Sequence, residues 1–268
     1  MTDSAPVATL DGWTAAPFAA GDVTHDVYER GSGPGVVLVP EVPGLTGQVV
    51  ALADRLVDAG FTVAVPSPFG EPGGEPTMGA VLRVLPRLCV SREFRAFATD
   101  ERRPFSDWLR ALAANLSTRT PGAGVGVIGM CFTGGFALAA AVDESVLASV
   151  VSQPGVPFAV GRARAANPGL SGAELDVVSA RAARGEVCAL GLRFSEDRGV
   201  PRARFDTLRR RLGDAFEVIE LDSSPGNPGG FARTAHSVLT GEVREREGHP
   251  ALEARERVVA FLQGRLGS

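Results

Sequence analysis

Short apolar runs along the chain alternate with segments whose apolar residues have helical spacing. The runs typical of buried strands are 36–39, 61–65, 125–130, 146–152, 187–194 and 216–221. The segments with helical spacing are 48–59, 104–116 and 250–266. This alternation predicts an α/β fold, with a mostly parallel central sheet and helices on both faces. We expect one domain over residues 1–268, in which residues 1–30 form an N-terminal extension.

Three segments do not follow the simple alternation. Residues 66–80 are rich in Pro and Gly and are too long for a plain connection, so they are a candidate binding loop. Residues 161–184 are rich in Ala and Arg, and we expect them to be partly helical. Residues 125–142 carry no charge over the length of a membrane span, but four glycines divide them. They indicate a buried strand, a tight turn and a buried helix instead.

Composition and charge exclude several classes of function. The chain has 268 residues, 44% of them hydrophobic, and 27 basic against 31 acidic residues give a net charge of −4. That balance does not fit a nucleic-acid-binding protein. Every basic residue other than histidine is arginine. Enzymes that need a lysine, for a Schiff base or for a phosphate-binding loop, are therefore excluded.

Cysteine and histidine are few and widely spaced. The three cysteines are Cys89, Cys131 and Cys188, and they form no C-x-x-C pair and no spacing typical of metal ligands. We therefore expect no metal, no other cofactor and no disulfide framework. The first residues show no basic region followed by an apolar run, so a cytoplasmic protein without a membrane partner is the expectation.

The most informative motif is Gly-Met-Cys-Phe-Thr-Gly-Gly at residues 129–135, between a predicted strand and a predicted helix. A nucleophile on such a turn needs small neighbours, because its backbone is strained while its side chain stands clear of the sheet. Cys131 occupies that position, although a small buried hydrophobic role is the alternative. Gly124, Gly126 and Gly129 also spell a dinucleotide-binding pattern. That pattern lies inside the predicted strand, where it would not bind a nucleotide.

The sequence resembles the dienelactone hydrolase family of α/β hydrolases. The turn at 129–135 is similar to that family's G-x-C-x-G-G motif. Val-Pro-Glu-Val-Pro-Gly-Leu at 39–45 is similar to its segment of strand, glutamate and glycine, and Glu-Asp-Arg-Gly-Val-Pro at 196–201 to its acid loop. The resemblance implies an α/β-hydrolase fold and cleavage of a small-molecule ester or lactone through a cysteine acyl-enzyme. It implies no cofactor, and it leaves the oligomeric state open.

The order of catalytic groups in this family places a Cys-His-Asp triad on Cys131, His236 and Asp197. Asp197 and His236 each follow a predicted strand, so their loops are expected at the same sheet edge as Cys131. Glu196 is an alternative acid. His249 is an alternative histidine, because the family's histidine usually follows its strand in a shorter turn than here.

The resemblance also implies roles around this centre. The glutamate matching Glu41 contacts the resting thiol in the family and is held to take its proton; a capping or salt-bridged residue is the alternative. The backbone N–H groups of Val42 and Phe132 would form the oxyanion hole, typically worth about 3 kcal/mol per donor. The family's best-known substrates carry a carboxylate, which Arg92 could bind, although a surface role is the alternative.

Two other functions remain open from the sequence. A non-catalytic binding or regulatory protein on a hydrolase scaffold is one, because the segment around His236 departs from the family pattern. A class I glutamine amidotransferase also places its cysteine between a strand and a helix. That enzyme needs a later His-x-Glu pair, and residues 236–238 are His-Ser-Val.

Overall fold

An eight-stranded sheet runs through the computed structural model, which describes residues 4–94 and 103–267 except the side chain of Cys89. From its apolar surroundings in the sequence Cys89 is expected to be a packing residue, and its side chain lies outside the described residues. The strands are β1 (Thr14–Ala20), β2 (Val23–Arg30), β3 (Gly35–Val39), β4 (Thr62–Pro66), β5 (Val125–Met130), β6 (Val146–Ser152), β7 (Cys188–Phe194) and β8 (Phe216–Leu221). Their order in the sheet is β1-β2-β4-β3-β5-β6-β7-β8.

All pairings from β4 across to β8 are parallel, as the sequence predicts. The residues of these strands point alternately to the two faces. Val37 and Val39 belong to one buried cluster, whereas Val36 and Leu38 belong to the other. Both faces are covered, which explains why the strands are apolar throughout rather than alternating. The carboxyl ends of the parallel strands lie along one edge of the sheet.

Helices cover the sheet on both sides. They are α1 (Gly47–Asp58), α2 (Met78–Val90), α3 (Pro104–Arg119), α4 (Gly134–Ala140), α5 (Gly161–Ala166), α6 (Gly172–Ala183), α7 (Arg202–Leu212) and α8 (Pro250–Leu266). α1 and α8 pack against one face, and α3, α4, α6 and α7 against the other. Residues 125–142 divide into β5, a turn and α4 as predicted. Among the described residues, no helix combines the length and the apolar character needed to cross a membrane.

The predicted N-terminal extension needs a correction. Residues 14–30 form a hairpin of β1 and β2, and β2 pairs antiparallel with β4 through partners such as Val27 and Pro66. These residues are therefore part of the main sheet. The hairpin lies at the sheet edge and leaves most of β1 exposed. Its strands lack the branched aliphatic runs that identify the central strands, because β1 is rich in Ala with Pro17 at its centre and β2 is interrupted by polar residues.

The region after β4 contains a helix that the sequence pattern did not predict. The Pro/Gly-rich loop ends at Thr77, whose hydroxyl accepts a hydrogen bond from the N–H of Ala80 and begins α2. Pro86 lies inside this helix, which hides it from a search for uninterrupted helical segments. The expectation for residues 161–184 is confirmed, because α5 and α6 occupy most of them.

Candidate active site

Cys131 lies on a sharp turn between β5 and α4. Its φ of 53° is in the left-handed region, which is uncommon for any residue other than glycine. The neighbouring glycines allow this turn because there is no room for side chains. A Cβ atom on Gly129 would lie 2.4 Å from the carbonyl oxygen of Thr133, and one on Gly134 would lie 2.8 Å from Cα of Pro154. The predicted strained turn is thus confirmed, with Cys131 half-buried.

The hydroxyl of Thr133 connects this turn to the neighbouring strand. It accepts a hydrogen bond from the N–H of Met130 at 3.0 Å, and it lies 3.1 Å from the carbonyl oxygens of both Val39 and Pro40. Thr133 itself is fully buried. The turn that carries Cys131 is therefore fixed against the end of β3, directly before Glu41.

His236 and Asp197 meet at the carboxyl edge of the sheet. Asp197 follows β7, and His236 lies in the segment 222–249 between β8 and α8. The Nδ1 atom of His236 is 2.6 Å from Oδ2 of Asp197. The other carboxylate oxygen of Asp197 accepts the N–H of Gly199 at 2.9 Å. Asp197 is thus held by its own loop while it contacts the imidazole.

The Cys131 side chain lies close enough to the imidazole of His236 to affect the pKa of the ring. Because Nδ1 is engaged by Asp197, the contact with sulfur falls to Nε2. Burial of the ring alone would lower the pKa of His236, but the charge of Cys131 and the bond from Asp197 outweigh it and raise this pKa to about 11. The surroundings of the ring therefore favour imidazolium beside sulfur.

The two alternative residues have other contacts. Glu196 forms an ion pair with Arg233, at 2.9 Å between Oε2 and Nη2, on the exposed side of the loop. His249 is buried at the start of α8, where its ring packs edge-on against Phe231 at 5.2 Å between centroids. Burial is the main cause of its lowered pKa. Asp197 and His236, rather than these two, form the pair beside Cys131.

Glu41 follows β3 and is buried, with a side chain that accepts three hydrogen bonds. Gln153 donates from Nε2 at 3.0 Å and Ser237 from Oγ at 2.8 Å, both to Oε2. Thr240 donates its hydroxyl to Oε1. The hydrogen bonds given for Glu41 within the described residues go to these three side chains, not to Cys131. The contact between glutamate and resting thiol that the resemblance implies stays a prediction, and these three partners are additional to it.

Val42 and Phe132 lie beside each other across the same sheet edge. Val42 follows Glu41 at the end of β3, and Phe132 follows Cys131 at the end of β5, and these two strands are paired neighbours. The ring of Phe132 is buried against Phe69 and Phe94, with centroid distances of 6.2 and 5.5 Å. Aromatic packing therefore fixes the residue whose N–H group is the predicted oxyanion donor.

Comparison with known families identifies the family of this chain. The profile of the dienelactone hydrolase family matches residues 24–265. The chain belongs to this family. No protein of curated function matches the chain at a significant level.

Comparison with solved structures shows that this chain has the α/β-hydrolase fold. The chain resembles a dienelactone hydrolase from Anabaena variabilis, with a TM-score of 0.57 and 15% identity over 95% of this chain and 98% of that one. It also resembles a dienelactone hydrolase-like promiscuous phosphotriesterase from metagenomic libraries, with a TM-score of 0.61, 17% identity and the same coverage. A bromoperoxidase from Bacillus anthracis matches with a TM-score of 0.54 and 13% identity over 93% of this chain and 100% of that one. At such identities the likeness establishes the fold and not the reaction.

A cavity of about 640 Å³ lies near this site, although Cys131, Asp197 and His236 are not among the described residues that line it. Pro43 lines it next to the predicted oxyanion segment, and Phe69 and Phe94, which pack against Phe132, form part of its wall. Among the described residues, the arginines that line it are Arg83 and Arg87, on α2. Arg92 lies exposed just after this helix, and its role in substrate binding stays a prediction.

Two residues near the site were not found from the sequence. Gln153 follows β6 as Cys131 follows β5, so a polar residue directly after a buried strand was the signal available. Arg204 is fully buried and donates to the carbonyl oxygens of Pro154 and Pro157, which holds the loop after β6 in place. In that loop, the N–H of Gly155 donates to the carbonyl oxygen of Cys131 at 2.8 Å. Burial lowers the pKa of Arg204 to about 10.

Proposed function

We propose that this protein hydrolyses carboxylic esters or lactones of small molecules, with Cys131 as the nucleophile. The observation that carries this proposal is the chain of contacts from Cys131 to His236 and from His236 to Asp197, on a turn with strained backbone. A nucleophile, a base in contact with it and an acid that orients the base are the groups that acyl transfer requires.

The first half of the reaction forms an acyl-enzyme. The thiolate of Cys131 attacks the carbonyl carbon, and the π electrons move to the carbonyl oxygen. The N–H groups of Val42 and Phe132 stabilise that oxyanion. The intermediate then collapses as its carbon–oxygen bond to the leaving group breaks, and His236 donates the Nε2 proton to the departing alkoxide. The products are an alcohol and an acyl thioester on Cys131.

The second half releases the acid. His236, now neutral, removes a proton from a water molecule, whose oxygen attacks the thioester carbon. Collapse of the second tetrahedral intermediate expels the Cys131 thiolate and frees the carboxylic acid. Asp197 keeps Nδ1 of His236 protonated throughout, so Nε2 alternates between giving and taking a proton. The ion pair of thiolate and imidazolium is restored at the end of the cycle.

The substrate of the proposed reaction binds in the cavity near the site. Its apolar wall of Phe69 and Phe94 suits an ester with an apolar group, and its size suits a small molecule. Arg83 and Arg87 line the cavity, and Arg92, which lies between the lining residues Ser91 and Glu93, is the proposed partner of a carboxylate on such a substrate.

Selective alkylation with iodoacetamide tests the role of Cys131. At pH 7, Cys131 is expected to react far faster than Cys188, because burial raises the pKa of the Cys188 thiol and leaves it largely protonated. Peptide mass spectrometry measures the rate at each of the three cysteines. Hydrolysis of a p-nitrophenyl ester, followed in the same samples, should disappear in step with modification of Cys131.

Slow and equal alkylation at all three cysteines, without ester hydrolysis, would favour a binding protein on a hydrolase scaffold. Full hydrolysis after Cys131 is modified would remove Cys131 from the reaction.

A further inference from the structure

The carboxyl group of Glu41 joins three loops at the carboxyl edge of the sheet. Glu41 itself follows β3, Gln153 follows β6, and Ser237 and Thr240 follow β8. The three donors divide between the two carboxyl oxygens, with Gln153 and Ser237 on Oε2 and Thr240 on Oε1. We call this set of four residues the Glu41 tie. One member, Ser237, directly follows His236.

The segment that carries His236 needs such a connection. Residues 222–249 lie between β8 and α8 and contain turns but neither a helix nor a strand, so their backbone hydrogen bonds are those of turns, such as the N–H of Glu242 donating to the carbonyl oxygen of Ser237 at 3.1 Å. Their apolar anchors, which are buried in the cluster shared with α1 and α8, are Phe231, Ala235, Val238, Leu239 and Val243. Apolar packing is not directional, whereas hydrogen bonds fix both distance and angle. The hydrogen bonds from Ser237 and Thr240 to Glu41 therefore fix the position of this segment more closely than its apolar contacts do.

The backbone conformation of Gln153 is independent evidence that the surrounding residues hold the Glu41 tie in place. It is fully buried and has a φ of 32°, so its backbone is strained in the left-handed region. Strain of this kind persists only where the surroundings hold the residue firmly. Its backbone N–H donates to the carbonyl oxygen of Leu192 at 2.8 Å, and its side-chain oxygen accepts the hydroxyl of Ser152. These contacts direct its remaining amide group to Glu41.

Glu41 also precedes Val42 in the chain. A shift of its carboxyl group would therefore affect the predicted oxyanion donor and the imidazole together. Since a displacement of about 1 Å can reduce turnover by about 10²-fold, a shared anchor for both groups has a direct effect on rate.

We propose that Glu41, Ser237 and Thr240 are positioning residues that hold His236 and the amide of Val42 in register with Cys131. This inference rests on the proposed function. In it, Glu41 acts through the loop of His236. The role differs from the one that the family resemblance implies.

Removal of the two hydroxyls tests this inference. Ser237→Ala and Thr240→Val, alone and combined, take away donors while the carboxyl group of Glu41 stays. We expect the double variant to lose about 10- to 100-fold in kcat for a p-nitrophenyl ester with KM changed less than about twofold, because the substrate still binds. Thr240→Ser keeps the hydroxyl and should restore most of kcat.

The pH profile separates positioning from plain stability. A loosened His236 has a weaker ion pair with Cys131, so the imidazolium should lose its proton at lower pH. For an alkyl ester, whose alkoxide needs this proton to leave, the alkaline fall of kcat in the double variant is therefore expected to begin at lower pH than in the wild type. Thr62→Val is the matched control, since its hydroxyl donates to the carbonyl oxygen of Gly33 at 2.8 Å near the opposite edge of the sheet. That variant should keep the wild-type kcat and pH profile.

Two results would overturn the positioning role. One is a double variant with wild-type kcat and pH profile. The other is a double variant that loses melting temperature only, as the Thr62→Val control does. Wild-type alkylation distinguishes this failure from a failure of the proposed function. If Cys131 is alkylated selectively but the double variant keeps the wild-type kcat and pH profile, only the positioning role is refuted. If alkylation is unselective and the wild type does not hydrolyse the ester, both proposals are refuted.

Discussion

Replacement of Cys131 by alanine is expected to abolish ester hydrolysis, with a loss in kcat on the order of 10⁴-fold or more. The thiolate forms the acyl-enzyme, and no other described residue is placed to replace it on the turn after β5. The measurement is the steady-state rate of p-nitrophenyl ester hydrolysis. The fold should remain, because alanine keeps the Cβ atom that the turn already accommodates at a φ of 53°.

Cys188→Ala is the matched control for this variant. Cys188 begins β7 at the amino end of the strand and is buried, so its removal affects packing and not the site. It should leave kcat nearly unchanged. Substantial hydrolysis by Cys131→Ala, in protein with an unchanged melting temperature, would contradict the mechanism.

Replacement of His236 by asparagine has the second largest expected effect, a loss of about 10²- to 10⁴-fold in kcat. The variant lacks the group that protonates the leaving alkoxide and activates water. In the wild type, the raised pKa of about 11 means that His236 keeps its proton as pH rises past 6.5. Wild-type activity should therefore persist above neutral pH and fall only as pH approaches 11. A pH–rate profile of both proteins on an alkyl ester, whose leaving alkoxide needs the proton of His236, measures this.

The two neighbouring acids provide a paired control. Asp197→Asn removes the charge that contacts Nδ1 of His236, so it should lower kcat and begin the alkaline fall at lower pH. Glu196→Gln removes only an exposed ion pair with Arg233, for which little effect is expected. Equal effects of the two variants would show that Asp197 has no special role.

The central strands and the position of the site follow from local features of the sequence. Buried parallel strands are continuous apolar runs, and β5, β6 and β8 have the predicted bounds. The turn around Cys131 is also predictable from its glycines. Glycine is required at 129 and 134 because a side chain there would collide with the backbone of Thr133 or Pro154. The hairpin of β1 and β2 was not predictable in this way, because β1 is an Ala-rich edge strand with Pro17 at its centre and β2 has no continuous apolar run.

The connections within the site depend on contacts between distant parts of the chain. Ser237 and Thr240 meet Glu41 from 196 and 199 positions away, and a lone hydroxyl carries no sequence signal of such a partner. Asp197 and Glu196 are adjacent carboxylates that the sequence leaves as alternatives. The loop decides between them, because the N–H of Gly199 holds Asp197 towards His236 while Glu196 turns to Arg233.

The acyl thioester itself is the most direct measure of the account. Wild-type protein is mixed with p-nitrophenyl acetate, quenched in acid within the first turnovers and digested for peptide mass spectrometry. We predict a mass gain of one acetyl group on the peptide that contains Cys131, absent in Cys131→Ala and more persistent in His236→Asn, where deacylation is slow. Ester hydrolysis with an acyl group on another residue, or with none on Cys131 in any of these proteins, would contradict it.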